Sequence, residues 1–115
     1  MSAWINPTAH LAGTYGPTVI ANTDGDGWAL RINNGQIMAD LRLTGGNILQ
    51  QFGAQLPLNG WSYVSYSYDG TKVTAFVNGV QVGTAAASGS IKTASNKSTC
   101  TFIGNDPSGC VAQGT

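Results

Sequence analysis

Three dipeptides constrain this chain more than anything else in it. Asn34-Gly35, Asp69-Gly70 and Asn78-Gly79 each stand between two runs of alternating residues. A two-residue type I′ hairpin needs positive φ at both central positions, which Asn, Asp and Gly tolerate best. Each dipeptide therefore predicts a hairpin, and each hairpin predicts a register. Around Asn34-Gly35, Ile32 falls opposite Ile37, Arg31 opposite Met38, and Leu30 opposite Ala39. Trp28, Leu30, Ile32, Ile37, Ala39, Leu41 and Leu43 then share one face. Arg31, Met38, Asp40 and Arg42 share the other. Around Asp69-Gly70, Tyr66 falls opposite Val73, Val64 opposite Ala75, and Tyr63 opposite Phe76. Around Asn78-Gly79, Val77 falls opposite Val80 and Ala75 opposite Val82. Both of the last two registers turn Val73, Ala75 and Val77 inward. A slip of one residue would invert every face, so their agreement supports the reading.

Further strands are expected at Ser2–Asn6, Thr18–Asn22 and Thr99–Gly104, with a weaker one at Asn47–Phe52. Pro57 and Asn59-Gly60 mark a loop before Trp61, and Ala85–Ser98 reads as a long polar loop. A chain of 115 residues is one domain's length. Only 9% of it is charged, the formal net charge is zero, and it contains no Glu. That composition disfavours solvated helices, which lean on Glu, Lys and Arg. Short strands without a helix imply an all-β, two-sheet antiparallel β-sandwich of the jelly-roll type spanning residues 1–115.

No basic stripe is present for nucleic acid and no polybasic patch for anionic lipid. No run approaches the roughly 18 apolar residues of a membrane helix. The opening residues do not follow the signal-peptide pattern, as would also be true of a processed or excised domain. Low net charge weakens resistance to association, so a homo-oligomer is expected.

The stretch Trp61–Gly83, "WSYVSYSYDGTKVTAFVNGVQVG", resembles the signature of laminin-G-like, concanavalin A-like jelly-roll domains. "SAWINP" at Ser2–Pro7, "DGWALRINNGQI" at Asp26–Ile37 and "TFIGND" at Thr101–Asp106 are similar to that family's other strands, in the same order. The resemblance implies a recognition module for carbohydrate or protein that binds calcium in some members and usually works outside the cell. It also implies that Trp4, Trp28 and Trp61 pack the core. Against the family's usual outline the chain looks shortened, lacking a strand before the Ser-x-Trp segment and a closing strand at the other end. Those two strands are neighbours in the family fold, so a shortened sandwich would expose an edge for a partner chain.

Catalysis finds little to work with. Glycoside hydrolysis ordinarily takes two carboxyl groups flanking the scissile bond, and the Glu-rich strand motif of the glucanase branch cannot be built without Glu. Asp40 is expected to pair with Arg31 diagonally across its hairpin. His10, the only histidine, lies in a loop-like stretch with no sign of a nucleophile partner.

Asp24 and Asp26 in "NTDGDG" are candidate calcium ligands, since oxygen donors at alternate positions suit that ion; a plain turn is the competing reading. Asp106 is a further acid that could reach the same end. Cys100 and Cys110 could close a hairpin as a disulfide or remain two thiols. Asn96-Lys97-Ser98 matches the glycosylation pattern, with loop polarity the plainer account. Tyr63 and Phe76, with Ser65, Thr74 and Asn78 nearby, form the candidate ligand face. They could stack on sugar, stabilise the hairpin as a cross-strand pair, or meet another subunit.

Overall fold

The alternating runs become strands, and the strands form two antiparallel sheets with no helix among the described residues. The computed structural model describes residues 1–23, 26–92 and 101–104. One sheet has the order β1 (Ser2–Ile5), β6 (Ser62–Tyr68), β7 (Lys72–Val77), β8 (Val80–Ala86). The other has the order β5 (Ile48–Phe52), β4 (Gln36–Leu41), β3 (Gly27–Asn33), β2 (Thr18–Thr23), β9 (Phe102–Ile103). The two sheets face each other as a β-sandwich.

The core is made by the inward half of each alternation. Leu30, Ile32, Ile37, Ala39, Leu41 and Leu43 meet Val64, Tyr66, Val73 and Ala75, with Phe52 and Leu56 closing one side. At roughly 25 cal/mol per Å² of apolar surface removed from water, this layer supplies the main folding force. Tyr66 spans it, and its hydroxyl donates to the Ala29 carbonyl of the opposite sheet at 3.0 Å.

The Asn34-Gly35 hairpin has the predicted register: Ile32 opposes Ile37, Arg31 opposes Met38, and Leu30 opposes Ala39. Asn34 and Gly35 both take positive φ, 49° and 76°. The Asp69-Gly70 hairpin corrects its prediction. Tyr66 opposes Ala75, not Val73; Val64 opposes Val77, not Ala75; and Ser65, not Tyr63, opposes Phe76. The cause is Asp69. Its carboxylate accepts from the Thr71 and Lys72 amides at 2.8 and 2.9 Å and from the Thr71 hydroxyl at 2.8 Å. That side-chain turn widens the connection, so Tyr68 pairs with Val73. The displacement is two residues, so every side chain keeps its face.

At the third hairpin Val77 opposes Val80 as expected, but Ala75 opposes Gly83 because Val82 is an extra residue in a bulge. The strands at Ser2–Ile5, Thr18–Thr23 and Ile48–Phe52 lie where the sequence put them, and the late strand is confined to Phe102–Ile103.

Two predicted core residues are not in the core. Trp4 is 64% exposed and Trp61 67% exposed; Trp28 packs against the core half-buried. The alternation accounts for both. Ala3 and Ile5 face inward on β1, so Trp4 between them faces out, and Val64 and Ser62 turn Tyr63 and Trp61 out.

Candidate functional site

The outer face of the four-stranded sheet gathers most of the exposed aromatic surface. On β1 and β6, Trp4 sits directly opposite Tyr63. Their ring centroids are 5.2 Å apart and tilted by 45°. The Met1–Tyr66 backbone bonds set the alternation of the ladder, making Ala3–Val64 and Ile5–Ser62 its hydrogen-bonded pairs. Trp4–Tyr63 is therefore a non-hydrogen-bonded pair, the type in which opposite side chains come closest. Trp61 precedes β6 and continues the outward series Trp61, Tyr63, Ser65, Ser67.

The five residues proposed from sequence share this face, in a different arrangement. Tyr63 neighbours Trp4 on one side and Asn78 on the other. Its amide donates to Asn78 Oδ1 at 2.8 Å, and the Asn78 amide donates to the Tyr63 carbonyl at 2.7 Å. Asn78 thus anchors the end of β6 while holding a positive φ of 51° at its own turn. Ser65 lies between Ser2 and Phe76, and Thr74 lies between Ser67 and Thr84. Phe76 is one rung away from the Trp4–Tyr63 pair. Sequence reasoning missed Trp4 and Trp61 because it assigned them to the core, although period-two alternation already turned both outward.

The second polar cluster lies on the outer side of the other sheet. Asp40 is fully buried there, with Arg31 Nε donating to its Oδ2 at 3.1 Å, as the diagonal pairing predicted. Arg31 also donates to the Thr18 hydroxyl at 2.6 Å and lies 5.4 Å from the Tyr15 ring centre. Arg42 Nε approaches Asp40 Oδ1 to 3.0 Å, but its N–H is not aimed at that oxygen. The contact is thus an ion pair without a directed hydrogen bond. Burial, and secondarily the Asp40 charge, push the Tyr66 phenol well above its ordinary range, with Arg31 partly opposing. Tyr66 therefore stays protonated and able to donate to Ala29.

His10 is structural. Its Nε2 lies 2.8 Å from the Leu56 carbonyl, and its ring rests on Gly35 where a Cβ would collide. Of the two candidate calcium ligands, Asp24 lies outside the described residues. Asp26 Oδ1 faces Lys92 Nζ at 3.7 Å. Among the described residues no three His, Cys, Asp or Glu side chains gather as a metal site. Cys100, Cys110, Asp106 and Asn96 also lie outside the described residues.

A sandwich of four and five antiparallel strands, with the Trp-to-Gly hairpin pair on one sheet, is the arrangement the resemblance implied. Residues 1–115 match the laminin-G family model described as the concanavalin A-like lectin/glucanases superfamily. The chain belongs to this family. A comparison with curated proteins returned no match. Membership carries a ligand-binding module at the level of the superfamily, which contains both lectins and glucanases. Laminin-G-like domains are typically extracellular and generally non-catalytic.

Proposed function

We propose that the domain is a non-catalytic recognition module that binds carbohydrate on the outer face of the β1–β6–β7–β8 sheet, outside the cell. The observation that carries this reading is the Trp4–Tyr63 pair, with Trp61 beside it. The exposed tryptophans and the half-buried Tyr63 form an apolar surface framed by hydroxyl and amide side chains. Aromatic faces suit the C–H faces of sugars, while a few placed polar groups orient the hydroxyls. The carboxylates described are engaged elsewhere: Asp40 with two arginines, Asp69 inside its turn, Asp26 with Lys92. None faces this surface, which supports binding over hydrolysis. A glycan array read with the wild-type domain and Trp4→Ala is the test. Signal on at least one glycan, lost in the variant, is expected; an array without signal would redirect the search to a protein ligand.

A second reading rests on a separate observation. Because Met1, Ala3 and Ile5 bond inward to β6, the backbone groups of Ser2 and Trp4 point to an edge of β1 that no described strand covers. Residues 1–23 contain no Lys, Arg, Asp or Glu to guard that edge. The edge would accept a strand from a second copy. Light scattering at micromolar concentration should then give a dimer mass that reverts to monomer in Ser2→Pro, which removes an outward donor and none of the bonds to β6. A monomer in the wild type would end this reading.

A further inference from the structure

The polar groups on the aromatic face have a chemical bias that narrows the ligand. The strand pairs define its rungs. Trp4 and Tyr63 form one, Ser2, Ser65, Phe76 and Gln81 the next, and Ser67, Thr74 and Thr84 a third. Every hydrogen-bonding side chain in these rungs is a hydroxyl or an amide. Arg31 and Arg42 belong to the other sheet. Among the described residues two cations border the face. Lys72 lies beyond the third rung, opposite Ala86, and the Met1 amine donates to the Tyr66 carbonyl at 2.7 Å.

We infer that the ligand of this face is an uncharged glycan chain built from pyranoses with equatorial hydroxyls; the inference rests on the carbohydrate reading above. Three arguments lead there. A sulfate or carboxylate laid across these rungs would lose water and meet no guanidinium, a loss that neutral hydroxyls avoid. An all-equatorial pyranose presents flat C–H faces to a ring, whereas an axial hydroxyl projects into it. Thirdly, the Trp4 and Tyr63 planes differ by 45°, so sugars resting on them cannot be coplanar. That favours a single twisted chain over the flat surface of a crystalline polymer. The outward series from Trp61 to Ser67 spans about 20 Å at the rise of a β-strand, room for several sugars in a row.

Isothermal titration with defined hexasaccharides tests this. Cellohexaose and xylohexaose are the neutral equatorial probes, mannohexaose carries an axial hydroxyl, and a heparin hexasaccharide is the anionic probe. Binding of cellohexaose or xylohexaose is expected. Trp4→Ala and Trp61→Ala should each weaken it at least fivefold, with unchanged circular dichroism. Mannohexaose should bind at least fivefold more weakly than the equatorial probes, and heparin not at all. Binding confined to heparin would overturn this inference while leaving the domain a glycan binder. Equal binding of mannohexaose would overturn the stereochemical part. Neutral binding untouched by both tryptophan changes would overturn the location. No binding to any probe, together with an empty array, would remove the carbohydrate reading and this inference with it.

Discussion

Replacing Asp40 with alanine should be the most damaging single change to a polar residue in this fold. The carboxylate is fully buried, and the Arg31 side chain beside it is only 3% exposed. In the unfolded chain both are hydrated, so removing the carboxylate takes the Asp40 charge from a guanidinium that folding has withdrawn from water, while its contacts with Thr18 and Tyr15 remain. Breaking a buried pair from one side costs about 3–5 kcal/mol. Arg42, at 22% exposure, can swing towards solvent, which places the expected loss near ~3 kcal/mol. That is more than a hundredfold in the folding constant. With an unfolding entropy of about 2.1 cal/mol/K per residue, it lowers Tm by roughly 12 °C.

Urea titration followed by far-UV circular dichroism is the suitable assay, because exposed Trp4 and Trp61 blunt tryptophan fluorescence as a probe of unfolding. Asp40→Leu separates charge from cavity: it fills the volume and should cost about as much as alanine. Arg31→Met combined with Asp40→Ala should recover at least ~1 kcal/mol relative to the sum of the single changes. A loss below ~1 kcal/mol for Asp40→Ala, or strict additivity in the double variant, would refute the reasoning.

Other perturbations probe the remaining features. Asn78→Gly keeps the positive φ but deletes the acceptor for the Tyr63 amide; titration should show weaker glycan binding with a stability loss of only about 1 kcal/mol. Ser62 is fully buried, and its hydroxyl has no hydrogen-bond partner among the described residues. Ser62→Ala should therefore leave urea stability unchanged or raise it by up to about 1 kcal/mol, and a clear loss would reveal a partner for that hydroxyl. The Asp69 carboxyl is held below its ordinary value by the Thr71 amide and hydroxyl and the Lys72 amide. A depressed folded pKa contributes stability that is present above the unfolded pKa and lost as pH falls through the folded one. Melting curves from pH 6 to about pH 2 should accordingly fall less steeply for Asp69→Asn than for the wild type.

The hairpins divide what was readable from what was not. At Asn34-Gly35 the turn uses only backbone conformation, so dipeptide identity sufficed and every predicted partner is correct. At Asp69-Gly70 a side chain competes for the backbone amides, and the dipeptide alone does not say which turn wins. The bulge at Val82 is similar: nothing in the alternation of β8 marks the extra residue. Faces proved more robust than partners, because the displacement at Asp69 was even. The ring pair at the site combined both kinds of information. Tyr63 was visible in the alternation, but its contact with Trp4 depends on β1 pairing with β6, two segments far apart in sequence. The Arg31–Asp40 pair was legible because both residues lie on one hairpin. Arg42 follows β4, and its approach to the same carboxylate depends on how the side chain folds back.

The turn at Asp69 also acts as a selector. Sliding β7 by two residues against β6 would keep Val73, Ala75 and Val77 inward, so burial scarcely distinguishes the two alignments. In the alternative alignment Tyr63 would stand beside Phe76, and the row from Trp4 would become three contiguous rings. In the alignment adopted, Tyr63 stands beside an amide. A single carboxylate in a solvent-exposed loop thus helps set how greasy this outer face is at its centre. Changing this loop would alter the apolar area of the face without touching any residue on the face itself.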